Sequence, residues 1–327
     1  MLKIAILGSG GFGLALAASC DRLGHEVTVW SAFKDEIDTL ERTRELRAKL
    51  PGITIPKTIA LTTDISCISG KDIVLVGIPS KFVREVCNSA KPYLNKETII
   101  VSTAKGLEDD SLKRMSEVIS EVMPENKIVA LTGPSHAEEL GKGIPTAVVV
   151  ACDDTEVAKL IQKAFSDKAL RLYVNNDVIG SEVGGAVKNV IALCCGVAEG
   201  LGLGDNTKAA IMTRGLNEIT RLGVAMGGKP DTFYGLAGMG DLVVTCTSMH
   251  SRNMRAGILI GQGIPPQEAV QQIGTVEGYA CANATLALAD KYKIDMPITR
   301  EINKILFEGK NPKEALNELM LRPYVAE

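Results

Sequence analysis

The chain has 327 residues, 46% of them hydrophobic and 23% charged, with a formal net charge of −3. That length favours two domains over one, and the near-neutral balance supports neither a nucleic-acid nor an anionic-membrane footprint. Aromatics are only 4% while glycine reaches 32 residues, which suits α/β layers and close-packed helices better than a β-sandwich. The eight cysteines include no C-x-x-C pair, and His25, His136 and His250 are scattered, so no structural zinc pattern appears. The amino terminus reads straight into a strand, and the longest apolar run, 183–198, is shorter than a membrane span and carries a lysine. These features predict a soluble chain in a reducing cytoplasm with free thiols and no membrane insertion.

In chain order, apolar strand patterns fall at 2–7, 26–30, 73–78, 98–103, 128–132 and 146–151, with a late one at 170–174. Helical patterns at 12–23, 35–50, 82–90, 111–122 and 155–165 lie between them. Strands with little alternation are buried on both faces, and alternation with helices implies a mostly parallel sheet covered on both sides. Past residue 176 the rhythm changes to helices at 181–199, 206–226, 251–262, 275–291 and 297–307, separated by glycine-rich segments. The organisation expected is therefore an α/β sheet domain over 1–180 followed by a mostly α-helical domain over 181–327.

Gly8-Ser9-Gly10-Gly11-Phe12-Gly13 fits G-x-G-x-x-G directly between a strand and an apolar helix, the context that makes this motif a dinucleotide-binding, Rossmann-type loop. Gly8 allows the tight turn, Gly10 the close approach of backbone to pyrophosphate, and Gly13 the packing of helix on strand. The helix start offers N–H groups and a positive dipole end to phosphates. The acid that recognises the ribose belongs at the tip of the second strand, but Trp30-Ser31-Ala32-Phe33 holds none, and Asp35 comes too late. With no carboxylate to repel a 2′-phosphate, NADPH is predicted to be accepted, and NADH is left open.

Lys188 is the one charged residue in the run Val183-Gly-Gly-Ala-Val-Lys188-Asn189-Val-Ile-Ala-Leu-Cys-Cys-Gly-Val-Ala198. A helix apolar all round is buried, and a lysine there must be paired or line a cleft, where desolvation brings it towards proton transfer; the bland alternative is a lysine snorkelling at a domain edge. Other polar clusters follow strands or open helices. Lys105 ends Ser102-Thr-Ala-Lys105, at the carboxyl end of a strand where open α/β sheets bind ligands. Gly133 and Ser135 follow another strand, and Ser135-His-Ala-Glu138 has the form of a capping box. Asp241 ends the glycine-rich segment 235–241, read as a flexible loop. Ser251 is a candidate helix cap, and Arg252 a fork for phosphate.

Together these residues resemble the bacterial-type NAD(P)-dependent glycerol-3-phosphate dehydrogenases almost end to end. The resemblance runs through the glycine loop, His25-Glu-Val-Thr-Val-Trp30, Ala104-Lys-Gly-Leu-Glu108, Thr132-Gly-Pro-Ser135, Gly184-Gly-Ala-Val-Lys-Asn-Val-Ile191, Thr213-Arg-Gly-Leu216, Gly238-Met-Gly-Asp-Leu242, Thr245-Cys-Thr, Ser251-Arg-Asn253, Val276-Glu-Gly278 and Met296-Pro-Ile298. It implies reversible conversion of dihydroxyacetone phosphate to sn-glycerol 3-phosphate with NADPH/NADP or NADH/NAD, supplying phospholipid synthesis in the cytoplasm, and a homodimer. Carried over by motif, Lys188 is the general acid/base, Lys105 a second cation at the reacting oxygen, and Asp241 the group that orients Lys188 or a substrate hydroxyl. Gly133, Ser135, Asn189, Thr245, Ser251, Arg252 and Asn253 complete the substrate contacts, with Arg252 and Asn253 nearest the phosphate. Coenzyme contacts are Gly8, Gly10, Gly11, Phe12, Gly13, Ala32, Lys105, Ala137, Arg252, Val276 and Glu277, with no metal. Two positions depart from the family pattern: Ala32 stands where relatives often have His or Arg, and Gly274-Thr-Val276 is one residue shorter than in many of them.

The chemistry is coherent. Charge that builds on the ketone oxygen needs cations in a dry cleft, expected between the domains, and one cation supplies the proton. A 3-hydroxyacid or 6-phosphogluconate-type dehydrogenase is the second enzymatic reading and predicts activity on carboxylate substrates. A non-catalytic NAD(H)-sensing module is the third and needs no buried lysine. Consumption of the reduced coenzyme with and without dihydroxyacetone phosphate separates the three.

Overall fold

A computed structural model describes residues 1–323. The strands are β1 (Lys3–Leu7), β2 (Glu26–Trp30), β3 (Ala60–Thr62), β4 (Ile73–Val76), β5 (Ile99–Ser102), β6 (Ile128–Thr132), β7 (Thr146–Ala151) and β8 (Leu170–Asn175). The helices among them are α1 (Gly11–Arg22), α2 (Lys34–Thr43), α3 (Val83–Ala90), α4 (Met115–Val122), α5 (Ala137–Gly141) and α6 (Thr155–Phe165). Then come α7 (Val178–Gly200), α8 (Asp205–Ala225), α9 (Pro230–Tyr234), α10 (Asp241–Thr247), α11 (Arg252–Gly261), α12 (Pro266–Ile273), α13 (Glu277–Tyr292), α14 (Pro297–Phe307) and α15 (Pro312–Met320). The chain divides into two compact units, Met1–Lys105 with Lys113–Glu182, and Gly106–Leu112 with Val183–Glu327, so the division falls inside α7.

In the first unit eight strands form one sheet in the order β3-β2-β1-β4-β5-β6-β7-β8. Neighbours are parallel except β6 and β7, which run antiparallel. The two-residue strand period divides the apolar side chains between two cores. Ile4, Ile6, Ile73 and Leu75 face Leu14, Leu16 and Leu40. Ala5, Leu7, Val74 and Val76 face Val83, Cys87 and Ile119. Burial on both faces explains why these strands read as continuous apolar runs, and it sets the carboxyl ends of β1, β4, β5 and β6 along one edge of the sheet.

Several elements differ from the sequence expectation, each for a local reason. The helix expected over 35–50 ends at Thr43, because Arg44 takes the left-handed conformation at φ 54° and the segment to Leu50 turns back, with Leu46 and Leu50 buried. The helix expected from 111 begins only at Met115: Leu112 has φ 58°, and the Glu117 carboxylate accepts the Arg114 N–H at 2.8 Å, which fixes the helix start. Strand β3 and helices α9 and α10 have too few residues for a period to emerge, and α12 and α15, no shorter than α3, were passed over. Proline in the first turn of α9, α12 and α15 was their usable signal. The segment 235–240 is not a flexible loop: Leu236–Gly240 forms a π-helical turn that runs into α10.

In the second unit α7 is buried along its length, and the helix is longer than the apolar run seen in sequence. By length and composition it could cross a membrane, but 89% of its most apolar window is buried inside the protein. Its close neighbour is α11, and the crossing is built on glycine. A Cβ on Gly196 would lie 2.3 Å from the Met254 carbonyl oxygen, and one on Gly257 2.3 Å from that of Leu193; Gly200 and Gly261 repeat the arrangement one turn on. No side chain fits there, so the two backbones touch, which holds α11 against the carboxyl-terminal part of α7.

Glu218 on α8 is buried, forms no salt bridge among the described residues, and accepts the N–H groups of Ile298 and Thr299 at 2.7 and 3.1 Å, capping α14. Burial raises its pKa from 4.5 to about 6, against those hydrogen bonds. Because the folded value lies above the unfolded one, the native state holds the proton more tightly. Stability from this group is therefore greatest below pH 4.5 and declines as pH rises through about 6. Across that window the wild type is expected to lose about 2 kcal/mol relative to Glu218→Gln. Urea melts of both proteins at several pH values test this, and parallel curves would refute it.

Candidate active site

The coenzyme loop joins β1 to α1. Gly8 has φ +121°, and a Cβ there would lie 2.5 Å from the Gly77 carbonyl oxygen; one on Gly13 would lie 2.6 Å from that of Gly8. Gly10 is different: a Cβ there would meet only the Gly77 oxygen, at 3.7 Å. Packing within the protein therefore does not demand glycine at this position. It leaves bare backbone at the cap of α1, which has no side-chain cap bond. That is the arrangement a pyrophosphate needs, so Gly8, Gly10, Gly11, Phe12 and Gly13 fit a dinucleotide. Ala32 follows β2 and is exposed.

Also in the first unit, Lys105 donates to the Gly133 carbonyl oxygen at 2.8 Å and to Ser135 Oγ at 3.5 Å. Lys105 follows β5 and Gly133 follows β6, so neighbouring parallel strands bring them together. The capping box expected at Ser135 and Glu138 does not form. His136 stands at the cap of α5 but makes no side-chain cap bond, and the Ser135 hydroxyl donates instead to the Gly133 carbonyl oxygen at 2.9 Å. Ala137 opens α5, and a Cβ on Gly11 would lie 3.3 Å from its methyl group.

The second unit holds the other group. Lys188 is 5% exposed and Asp241 1%, so the snorkelling alternative fails. Lys188 Nζ donates to Asp241 Oδ1 at 2.6 Å and to Thr245 Oγ1 at 2.5 Å, and the Thr245 hydroxyl donates to the Asp241 carbonyl oxygen at 2.6 Å. The approach of the two helices depends on Gly184, where a Cβ would lie 2.5 Å from the Ala237 carbonyl oxygen. One turn along each element, Lys188 meets Asp241. A buried charge of this kind is tolerable only because it is paired and hydrogen-bonded.

Next to it the Asn253 amide donates to Asn189 Oδ1 at 2.8 Å and accepts the Gly278 N–H at 2.9 Å. Asn189 donates in turn to the Gly185 carbonyl oxygen at 3.2 Å. This chain ties α7, α11 and the start of α13 together. Arg252 opens α11 behind Ser251, whose hydroxyl caps the helix by accepting the Met254 N–H at 3.1 Å, as expected. Glu277 opens α13, with Val276 buried at its cap. Cys246 follows Thr245. Its hydrogen bond with Cys195, together with burial, pushes its pKa well above the usual thiol value, so it stays protonated and is no nucleophile.

The sequence-predicted residues thus gather in two groups. Gly8, Gly10, Gly11, Phe12, Gly13, Ala32, Lys105, Gly133, Ser135 and Ala137 belong to the first unit. Lys188, Asn189, Asp241, Thr245, Ser251, Arg252, Asn253, Val276 and Glu277 belong to the second. Sequence reasoning passed over Ser9, Ser31 and Glu36 beside the glycine loop; the acidic pair Asp35-Glu36 in the first turn of α2 was the available signal.

Residues 3–158 match the model for the NAD-dependent glycerol-3-phosphate dehydrogenase N-terminus, and residues 177–317 match that for its C-terminus. The chain belongs to the NAD-dependent glycerol-3-phosphate dehydrogenase family. Among curated members of the family, glycerol-3-phosphate dehydrogenase [NAD(P)+] of a Thermoanaerobacter species is 51% identical over 98% of this chain and 97% of its own. The Fusobacterium nucleatum enzyme of the same name is 49% identical over 98% and 97%. The crystal structure of glycerol-3-phosphate dehydrogenase from Coxiella burnetii superposes with a TM-score of 0.95 at 37% identity, covering 98% of this chain and 99% of that one. The coenzyme of this family is NAD or NADP, which agrees with the fit of the glycine loop.

Proposed function

We propose that this chain is a glycerol-3-phosphate dehydrogenase that reversibly reduces dihydroxyacetone phosphate to sn-glycerol 3-phosphate with NAD(P)H. The observation that carries the reading is the buried ammonium of Lys188, held by Asp241 and Thr245 in a chain whose family is established and whose glycine loop fits a dinucleotide. When bound, the nicotinamide supplies the hydride taken up by the ketone carbon. Lys188 stabilises the negative charge that develops on the ketone oxygen and donates the proton that completes the alcohol. Asp241 and Thr245 fix the direction of the ammonium, and Lys105 adds a second positive charge at the reacting oxygen. Arg252 holds the substrate phosphate, so orientation comes from binding energy remote from the reacting carbon. Asn189 and Asn253 position the segment that carries Arg252, and Ser251 secures its helix.

The direct test is consumption of NADH or NADPH by the purified chain with dihydroxyacetone phosphate, and chromatographic identification of glycerol 3-phosphate as product. Turnover with a 3-hydroxyacid or 6-phosphogluconate in its place would overturn the assignment. Arg252→Ala is expected to raise KM for dihydroxyacetone phosphate by roughly 10–100-fold, the loss of a charge-assisted contact worth about 1.5–3 kcal/mol. An unchanged KM would remove Arg252 from the phosphate site. We assign this activity to the cytoplasm, in line with eight cysteines that form no disulfide, and to phospholipid supply. A homodimer is the assembly we propose for it, which sedimentation would test.

A further inference from the structure

The tip of β2 lacks the acid that usually meets the adenosine ribose, yet a carboxylate reaches the same place from the next helix. Glu36, in the first turn of α2, accepts hydrogen bonds on Oε2 from the Ser9 hydroxyl inside the glycine loop and from the Ser31 hydroxyl just after β2, the latter at 3.2 Å. The two hydroxyls are 2.8 Å apart, and both serines are buried. Ser31 is further fixed because it accepts the Phe33 N–H at 3.2 Å. Glu36 is therefore bound at once to the loop that fits the pyrophosphate and to the strand end where the ribose belongs. Its side chain keeps 20% exposure, enough to meet a ligand.

Lys49 completes the arrangement. Its Nζ lies 3.6 Å from Glu36 Oε1. Its carbonyl oxygen lies so close to the start of α1 that a Cβ on Gly11 would come within 2.5 Å of it. Lys49 is thus already paired with Glu36.

Resting on the coenzyme reading above, we propose that Glu36 determines coenzyme choice and makes the chain selective for NADH. A carboxylate there accepts a hydrogen bond from a ribose 2′-hydroxyl. It repels a 2′-phosphate, and it holds Lys49 in an ion pair that would otherwise serve that phosphate. The sequence expectation that NADPH is accepted assumed no carboxylate at this point; α2 supplies one.

The test is titration of the whole protein with ADP-ribose and with 2′-phospho-ADP-ribose. Calorimetry or the fluorescence of Trp30, the single tryptophan, next to Ser31, can follow it. Wild type is expected to bind ADP-ribose at least about tenfold more tightly, the scale of one unfavourable charge contact. Glu36→Gln keeps an acceptor for the serines and removes the charge. It should strengthen binding of the 2′-phosphate probe by about tenfold or more and raise kcat/KM for NADPH in step, with KM for dihydroxyacetone phosphate unchanged. Adding Lys49→Met to Glu36→Gln should abolish that gain. Equal binding of the two probes by wild type, or a ratio unmoved by Glu36→Gln, overturns the inference while leaving the coenzyme reading intact. Failure of both probes to bind overturns the coenzyme reading and this inference with it.

Discussion

Lys188→Ala is expected to lower kcat by roughly 10²–10⁴-fold, the range contributed by a positioned general acid or base. Coenzyme affinity should stay close to wild type, because the glycine loop belongs to the other unit of the chain. The ammonium is the donor that Asp241 and Thr245 hold, at 2.6 and 2.5 Å, and the neighbouring thiol of Cys246, whose pKa is pushed up by its bond to Cys195 and by burial, is too weak an acid to take its place. Single-turnover rates of coenzyme oxidation, with a separate titration of coenzyme, measure the two quantities apart. Turnover near wild type would take Lys188 out of the chemistry.

Asp241→Ala should have the largest effect on stability. The aspartate is 1% exposed and its partner 5%, so the substitution leaves a buried ammonium without its counter-charge. Breaking a buried pair in this way costs about 3–5 kcal/mol. Thr245 still accepts from Lys188, but a neutral hydroxyl does not compensate a full charge. Activity is expected to fall as well, since the ammonium loses its direction. The double variant Lys188→Met with Asp241→Leu separates the two effects: it should recover much of the stability, because apolar residues of similar volume replace buried pairs well, and none of the activity. Denaturant melts that leave Asp241→Ala as stable as wild type would show that the pair does not support the fold. A double variant with restored turnover would refute the chemical role.

Much of this molecule was legible without coordinates, where a signal was both local and long. The strand–glycine loop–helix unit at Lys3–Leu7 and Gly11–Arg22 needs only a period change and three glycines. The burial of α7 follows from a run of apolar residues longer than any surface helix tolerates, and Lys188 stands out there as one charge without a local reason. Short elements left no comparable trace. The turn Leu236–Gly240 looked like a loop because its glycines signal flexibility, whereas Gly238 serves close packing: it sits so near Phe233 that a Cβ would lie 2.1 Å from its carbonyl oxygen.

Composition and period alone determined the layered α/β plan, the coenzyme loop and the identity of the one charge that a greasy helix must account for. Those properties depend on neighbours within a few turns of the chain, which a sequence displays directly. Tertiary structure alone decided between the two roles that the motif left open for Asp241, pairing it with Lys188, and decided that Asn253 ties Asn189 to α13 and that Glu36 reaches Ser9 and Ser31. Each of these pairings joins residues from separate elements, and which ones meet is set by where backbones can approach, as at Gly184 against Ala237 and Gly278 against Asn189. Contact at that range is a property of packing, and no hydrophobic period encodes it.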